Sequence, residues 1–596
     1  MAHQPRHDRS RSPVAAQAKQ LSLPGEPFRF VPSEQAKSML LDWGSGKLSV
    51  PHMRRHCSAT HTDSINNNSA CPPDVVVLGG LGGNNPSTQN SQRQLLTLLN
   101  SLEFAKLIEP VVGQNVKFCV PPGGLIRFLL KRYTTATRRC LGFRAASVEK
   151  FWIGVWESED GARLFAEHPS LRGKTPPDLK RSVPLCLHED AGPFSKKKSM
   201  HVLSCSGLLG VGTEKETKLL FSSHVSKKGE KSVLPGDPAY KLFVSSCLAM
   251  SLGTTETGEQ LFEDEDGAWS AIMLFGKADF EALTQCWGMT SYNGASEVCG
   301  WCRADRTARP YTDLQEDAQW RPTEILDIIA FKARFGIPHH PWIDVFFFTT
   351  FFIRIDCMHD LDHNGVSGCA IGSLLMGLVK HEARLGSNQA ARLRSLNSSL
   401  DEFQKSNKVT SRFPEIGLNT LSASGGEGDF ACLAGPGVKA ANTRCIVPWA
   451  ANLSQTYCDT DTQKDKSIRK MFSSLCTVYD TLYSSDMFMT STQRDTLKLA
   501  TLRFGRHYQW LNIKSTGDGI CMYNVKPKHH FMQHIPRQSR LLNPRFTQCY
   551  MEEGFIGDVS DMWKSSVNGP YEKTMQRTVL VRNLVSVQIL YSGFKT

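Results

Sequence analysis

The sequence lacks a long apolar run. Its longest one, "DVFFFTTFFIRID" at 344–356, is too short for a transmembrane helix, which needs about 20 apolar residues, and is interpreted as a buried strand or core helix. The first residues, "MAHQPRHDRSRSP", contain no apolar segment of the kind found in secretory signals. We therefore expect no membrane anchor and no export. The 18 cysteines are then expected to be reduced thiols in the cytosol or nucleus.

The sequence also lacks an acidic surplus. It contains 69 Lys and Arg against 57 Asp and Glu, which gives a formal net charge of +12. A basic balance suits a polyanionic partner such as DNA without identifying one. The apolar share of 40% is somewhat below that of an ordinary globular chain, and this leaves room for disordered segments beside folded cores.

Composition and periodicity divide the 596 residues into five regions. Residues 1–70 are polar and basic and are predicted to be a disordered arm. The helical region 71–178 carries cationic side chains along "GGLIRFLLKRYTTATRRCLGF". It is either a small packed domain with a solvated basic face or a DNA-contacting one. Region 179–300 is predicted to be the first part of a core, 301–520 a helical insertion, and 521–596 the part that completes the core.

The stretch from 181 to 285 predicts the order β-β-β-α-β-α. "SVPLCLHEDAG", "KSMHVLSCSGLLG" and "TKLLFSSHVSKKG" are typical of three successive strands separated by polar turns. "DPAYKLFVSSCLAMSLG" has helical periodicity, and "GAWSAIMLFGKADFEALTQCWG" indicates a buried strand that runs into a helix. This order is the ribonuclease-H-like one. The predicted fold class is therefore α/β, with a ribonuclease-H-like mixed sheet interrupted by a long all-α insertion.

Two aspartates occupy the places where such a core can hold a metal ion. Asp190 is predicted at the end of the first strand and Asp279 at the end of the fourth. Two close carboxylates repel each other unless a cation lies between them, and Mg²⁺ prefers oxygen ligands. A single aspartate at a strand end is commonly a turn residue, so the prediction of a metal site depends on the presence of both aspartates. Glu552 and Glu553, at the start of a later helix-like run, either offer a third acid or simply interact with the helix N-terminus.

Cys299 and Cys302, in "EVCGWCRAD", have the spacing of a zinc knuckle, but a structural zinc needs four ligands. The other two are predicted far along the chain, where "PKHHFMQH" places His530 and His534 on one helical face, with His529 as an alternative to His530. A zinc ion shared by both pairs would hold the two ends of the helical insertion together. A redox interpretation of "CGWC" lacks the thioredoxin-like βαβ setting.

Segments over roughly 180–570 resemble, in order, the catalytic core of CACTA-type (En/Spm-like) DNA transposases. They are "PLCLHEDAGP", "GKADFEALTQCWGMTSYNGASEVCGWC", "RIDCMHDLDHNGVSGCAIGSLL" and "VKPKHHFMQHI". The layout of Cys pair, His pair and a late helix, with Glu553 four residues after Cys549, is also similar to the catalytic subunit of the antigen-receptor recombinase. That likeness carries the choice of Glu553 as the third acid.

The resemblance implies a DDE transposase that acts in the nucleus, binds transposon ends and target DNA, and works as a homo-oligomer. It implies a structural Zn²⁺ and two catalytic Mg²⁺ ions that activate water for nicking and a 3′-hydroxyl for strand transfer. The acids that would hold these Mg²⁺ ions are Asp190, Asp279 and Glu553, with Glu552 in support.

Two assignments stay open at this point. Asp356 of the Asp-x-Met-His motif competes with Asp279 for the second acid; because it follows the Cys pair, Asp356 and His359 are given a supporting role. Where many relatives carry an acid before "LLP", this chain has Asn442 in "VKAANTRCIVPW". The alternatives are therefore a decayed or domesticated DNA-binding protein that keeps the fold and the zinc, and a nuclease of the same fold without transposition.

Overall fold

The structure is a computed structural model with a mixed α/β fold, so the predicted class is confirmed at that level. It describes residues 33–594 except 68, 82–90, 92–93, 97, 100–102, 113–115, 196–197, 228–236, 286, 290–296, 336–342, 344, 422–429 and 567–571. The chain divides into two compact units. The first comprises Met1–Val148, Arg181–Met273 and Met551–Thr596, and the second comprises Glu149–Lys180 and Leu274–Tyr550.

The first unit begins with three helices, and the first two lie where the composition predicts a disordered arm. These are α1 (Glu34–Gly44), α2 (Val50–Asn66) and α3 (Pro73–Gly79). Their few apolar side chains fall on inward faces: Leu40, Trp43, Met53 and Cys57 are completely buried. A few apolar residues are enough to pack these helices because they share one face of each helix. The prediction for 1–70 is thus wrong over 34–66, and 1–32 lie outside the described residues.

A short hairpin and four helices follow along the chain, and from Glu149 onward, which includes most of the third helix and all of the fourth, they belong to the second unit. The hairpin strands β1 (Glu109–Val112) and β2 (Val116–Cys119) pair antiparallel. The helices are α4 (Pro122–Arg132), α5 (Thr134–Leu141), α6 (Ala145–Glu157) and α7 (Gly161–Glu167). Gly142 ends α5 in the left-handed conformation, with φ of 84°, which a glycine adopts without a Cβ clash.

The sheet that follows has the strand order β5-β4-β3-β7-β6. Its strands are β3 (Ser182–Ser195), β4 (Lys198–Gly207), β5 (Lys218–Lys227), β6 (Phe262–Asp264) and β7 (Gly267–Lys277). Short helix α8 (Glu214–Thr217) precedes β5, and α9 (Pro238–Ser251) lies between β5 and β6. The predicted succession of three strands, a helix and a strand is present, with α8 and β6 as additions.

The second unit is mostly helical after the end of β7. It contains α10 (Phe280–Gln285), α11 (Ile328–Lys332), α12 (Val366–His381), α13 (Gln389–Ser406), α14 (Ala440–Cys445), α15 (Val447–Tyr457), α16 (Gln463–Ser484), α17 (Ser491–Gly517), α18 (Pro527–Met532) and α19 (Ile535–Gln538). A π-helical turn covers Met358–Asp362. Before this turn, Ile353 forms a parallel bridge with Gly276 near the end of β7. The apolar run is buried as expected, but over 345–356 it forms turns and irregular chain with this one bridge, so the interpretation as a strand or helix is wrong.

The chain ends with α20 (Tyr550–Ser566) and α21 (Glu572–Ser592). Within the first unit, α20 packs on the face of the sheet from which Asp190 projects. A Cβ on Gly192, two residues after Asp190 and on the same face, would lie 3.2 Å from Ile556 Cγ2. The Trp563 indole donates a 2.7 Å hydrogen bond to the Ser223 hydroxyl. The opposite face is covered by α9, whose Tyr240 hydroxyl donates to the carboxylate of Glu189.

No described helix combines the length and apolar character required to cross a membrane.

Candidate metal centres

Two cysteines and two histidines of the second unit form one buried cluster, as predicted. Cys299 Sγ lies 3.4 Å from His534 Nε2, and Cys302 Sγ lies 3.3 Å from His530 Nε2. These pairs are 235 and 228 positions apart in the chain. The two imidazole Nε2 atoms are 3.1 Å apart, and all four ligand atoms lie within 4.8 Å of one another. The cluster therefore joins the two ends of the helical segment.

The donor set fits zinc. A tetrahedral zinc with Zn–S bonds of about 2.3 Å and Zn–N bonds of about 2.0–2.1 Å has ligand–ligand edges of roughly 3.3–3.8 Å, close to those above. Although burial opposes its ionisation, the Cys302 thiol and the two imidazoles hold the pKa of Cys299 well below its ordinary value. Burial and the neighbouring Cys299 sulfur raise the pKa of Cys302. A divalent cation would neutralise both thiolates, so the cluster can bind zinc.

Neighbouring groups fix the cysteine loop in place. The Trp301 N–H donates to Cys299 Sγ at 3.3 Å, and the Arg334 guanidinium donates to the carbonyls of Cys299 and Cys302 at 2.6 and 3.0 Å. The Trp320 ring lies 4.2 Å from the His530 ring. The ligands are thus pre-positioned by hydrogen bonds to their backbone and by aromatic walls.

His529 is not part of the cluster, so the alternative to His530 is wrong. Its Nδ1 accepts a 3.1 Å hydrogen bond from the Lys526 N–H, and its ring lies 4.2 Å from that of Tyr508. Burial and then Lys526 lower the pKa of His529 to about 3. The neutral His529 imidazole therefore packs at the start of α18 and stabilises that helix end, and it does not bind the metal ion.

Replacing Arg334 with Met should weaken zinc binding by about ten- to a hundredfold, the range found for the affinity when residues that orient metal ligands are changed, and zinc should therefore be lost faster. The change leaves the carbonyls of Cys299 and Cys302 without their guanidinium donor. Release to a chromogenic chelator measures the rate. Arg303, an exposed arginine next to Cys302, provides the control: Arg303→Met should release zinc as the wild type does. Equal rates in all three proteins would contradict this role.

A second group of titratable side chains lies around the π-helical turn of the second unit. The His359 imidazole donates from Nδ1 to Asp356 Oδ2 at 2.5 Å, and its Nε2 lies 3.9 Å from Asp279 Oδ2. Asp279 also caps α10, because its Oδ1 accepts a 2.6 Å hydrogen bond from the Ala282 N–H. The structure thus brings Asp279 close to His359 of the Asp356–His359 motif, although Asp279 lies far before that motif in the sequence.

Asp356 is a buried acceptor. Its Oδ1 receives the N–H groups of Met358 and Cys549, each at 3.0 Å. Although burial opposes its ionisation, the hydrogen bond and charge of His359 keep the pKa of Asp356 below its ordinary value. Its two oxygens bind protein donors, and this favours the supporting role over that of a second catalytic acid.

The same turn holds the first residue of α20 in a way that the sequence does not signal. Asp362 Oδ2 accepts a 2.6 Å hydrogen bond from the Tyr550 hydroxyl, and its Oδ1 accepts one from Tyr479. Burial raises the pKa of Asp362 to about 7, against the effect of these two donors. Together with the Asp356–Cys549 contact, this bond fixes the residues at which α20 begins. No local pattern reveals such partners.

The remaining predicted acids belong to the first unit. Asp190 lies inside β3, opposite Val202 of β4, not at the strand end as predicted, because β3 continues to Ser195. In the first turn of α20, Glu553 is exposed. Glu552 is 1% exposed and forms a buried ion pair with Lys218. The two glutamates therefore have different environments, and only Glu553 presents its side chain to solvent.

Asn442 is a buried structural amide of the second unit. Its Oδ1 accepts a 2.8 Å hydrogen bond from the Lys439 N–H, and its Nδ2 donates to the Gly437 carbonyl at 2.8 Å. A carboxylate at this position would face that carbonyl without a proton to donate. The local structure is therefore adapted to an amide at 442.

Comparison of the chain with models of known protein families gave no match, and a comparison with curated proteins gave no significant match.

Proposed function

We propose that this chain is a DDE DNA transposase, or a protein derived from one, that cuts and joins DNA in the nucleus. The observation that carries the proposal is the Cys299–Cys302–His530–His534 cluster. It joins the two ends of a long helical segment, and the separate contacts of Asp356 and Asp362 hold Cys549 and Tyr550, where α20 begins. A metal site that joins such distant pairs would hold together the two ends of an insertion in a chain whose functional residues lie before and after it.

The strand order supports a ribonuclease-H-like core with a helical insertion. Three antiparallel strands, β3 to β5, are followed by α9 and then by β7, which takes its place next to β3. In this fold class the first strand and the strand beside it carry the metal-binding acids, and Asp190 in β3 and Asp279 just after β7 have those chain positions.

Carboxylate oxygens suit the proposed Mg²⁺ ions, since hard cations prefer oxygen ligands. We assign Asp190, Asp279 and Glu553 as the acids that hold them. When bound, Mg²⁺ supplies Lewis-acid activation of the attacking oxygen and neutralises charge on the leaving one. Within its own unit, each acid has a defined place: Asp190 lies inside β3, Asp279 caps α10, and Glu553 lies in the first turn of α20.

DNA binding is supported by a cationic face of the second unit. Lys470 on α16 and Arg503 and Arg506 on α17 are exposed, and within the described residues none of them forms an ion pair with a carboxylate. They lie close enough to His507 that burial and these charges lower its pKa to about 4. Unneutralised cations on neighbouring helices suit a phosphate backbone. We propose that a homo-oligomer engages transposon ends and target DNA.

The proposal is tested with full-length protein, supercoiled plasmid and a labelled oligonucleotide with a free 3′-hydroxyl, with Mg²⁺ or EDTA. Mg²⁺-dependent nicking together with joining of the label to plasmid is the expected result. Nicking without joining would show that the protein is a nuclease of the same fold and not a transposase. DNA binding without either reaction would leave a decayed or domesticated DNA-binding protein, the alternative that Asn442 raises if the family's third acid belongs at 442.

A further inference from the structure

The environment of His359 is that of a metal-ligating imidazole. In metal sites a ligating histidine commonly donates its second ring N–H to a carboxylate, which fixes its tautomer and makes the other nitrogen a better ligand. Here Asp356 accepts from Nδ1 at 2.5 Å, which fixes the tautomer in which Nε2 carries the lone pair that a metal ion binds. Asp356 is itself fixed by the N–H groups of Met358 and Cys549, so the imidazole orientation is imposed by buried backbone.

The Nε2 atom lies opposite a carboxylate oxygen. Asp279 Oδ2 is 3.9 Å away, longer than a hydrogen bond. Two bonds of about 2.1 Å to one ion would span this gap. The side chains of His359 and Asp279 retain 12% and 19% exposure, so an ion can reach them from solvent. The Lys528 ammonium donates to the His359 and His363 carbonyls at 2.8 Å each, which fixes the backbone on both sides.

We infer that His359 Nε2 and Asp279 Oδ2 are joint ligands of one divalent cation, and that this site accepts nitrogen-tolerant ions such as Mn²⁺. Imidazole nitrogen suits transition metals, whereas Ca²⁺ prefers a set of oxygens. The inference deepens the proposed function, because Asp279 is one of its acids, but it concerns metal binding and is measured without DNA. It changes the supporting role of His359 into a direct one.

The test uses full-length, zinc-loaded protein titrated with Mn²⁺ and followed by electron paramagnetic resonance. Wild-type protein should bind Mn²⁺ with a nitrogen hyperfine coupling in the pulsed spectrum. Zinc content is measured in the same samples, because a Cys₂His₂ set prefers Zn²⁺ to Mn²⁺, and a retained zinc excludes His530 and His534 as the source of the coupling. Bound Mn²⁺ without nitrogen coupling in the wild type overturns the inference before any variant is made.

The decisive variant is His359→Asn. Its amide N–H₂ can still donate to Asp356, so the turn keeps its hydrogen bond while the atom that faces Asp279 is lost. We expect Mn²⁺ affinity to fall about tenfold or more and the nitrogen coupling to disappear. The matched control is His363→Asn, an exposed histidine whose ring lies 5.3 Å from that of His359, and it should behave as the wild type does.

The outcomes also separate this site from the proposed reaction. If the nitrogen coupling depends on His359 but the protein does not nick DNA, the metal site is supported and the proposed nuclease activity is excluded. If His359→Asn keeps the wild-type Mn²⁺ affinity and the nitrogen coupling, the proposed metal site is excluded, whether or not the protein cuts DNA.

Discussion

His530→Asn should remove the bound zinc, whereas the same change at the preceding residue, His529→Asn, should leave it in place. His530 Nε2 lies 3.3 Å from Cys302 Sγ, while His529 packs on Tyr508. Loss of one of the four ligands leaves a three-ligand site, which binds a structural zinc ion much more weakly. Metal analysis of the purified proteins should give one zinc per chain in the wild type and in His529→Asn, and substantially less in His530→Asn.

The loss of zinc should also lower the thermal stability of the second unit. Structural zinc contributes about 10–16 kcal/mol in small peptides that fold only around the metal. The second unit has a large apolar core of its own, so we expect a loss of several kcal/mol. The second unit is larger than the domains of about 150–250 residues for which 1 kcal/mol shifts the melting temperature by roughly 2–4 °C. At roughly 2 °C per kcal/mol, the melting temperature should fall by about 5–10 °C, as circular dichroism would record.

Cys299→Ser should reproduce the effect of His530→Asn, and Cys432→Ser should not. Cys432 is also a buried cysteine of the second unit, with its sulfur 3.4 Å from that of Cys369. It therefore controls for the loss of a buried thiol as such. Full zinc occupancy in both Cys299→Ser and His530→Asn would show that the four residues lie together for another reason.

The Cys and His ligands could be predicted from the sequence because each pair has its own local signature. A Cys-x-x-Cys loop and two histidines four residues apart each place two ligands on one side of the backbone, whatever lies between the pairs. Zinc also demands a fixed number of ligands, so one pair implies a second. His529 and His530 could not be told apart, since one residue on a short helix changes the facing direction and only packing against Tyr508 decides it.

The acids and their partners were harder to predict for a physical reason. Asp190 is followed by "AGPFS", which suggests a turn, yet β3 continues because its partner β4 pairs with it up to Ser195. The Asp356–Cys549 hydrogen bond joins residues 193 positions apart, and no periodicity encodes such a contact. The N-terminal helices were missed because only a few buried side chains hold them.

Glu553→Gln should abolish Mg²⁺-dependent nicking and leave the fold unchanged. Loss of a carboxylate that positions a catalytic ion removes several kcal/mol of transition-state stabilisation, and at about 1.4 kcal/mol per tenfold this corresponds to roughly a thousandfold in rate. Glu553 is exposed, so the free energy of unfolding should stay within about 0.5 kcal/mol of the wild type. Plasmid nicking and urea unfolding on the same preparation measure both quantities.

The neighbouring residue gives the matched comparison. Glu552→Gln leaves the Lys218 ammonium buried without its anionic partner, and breaking a buried ion pair from one side costs about 3–5 kcal/mol. This variant should unfold at lower urea and lose nicking only in proportion to its unfolded fraction. Replacing both partners, Lys218→Met with Glu552→Leu, should restore most of the stability. Full nicking by Glu553→Gln would exclude it as the third acid, and a catalytic loss in folded Glu552→Gln would move that role one residue earlier.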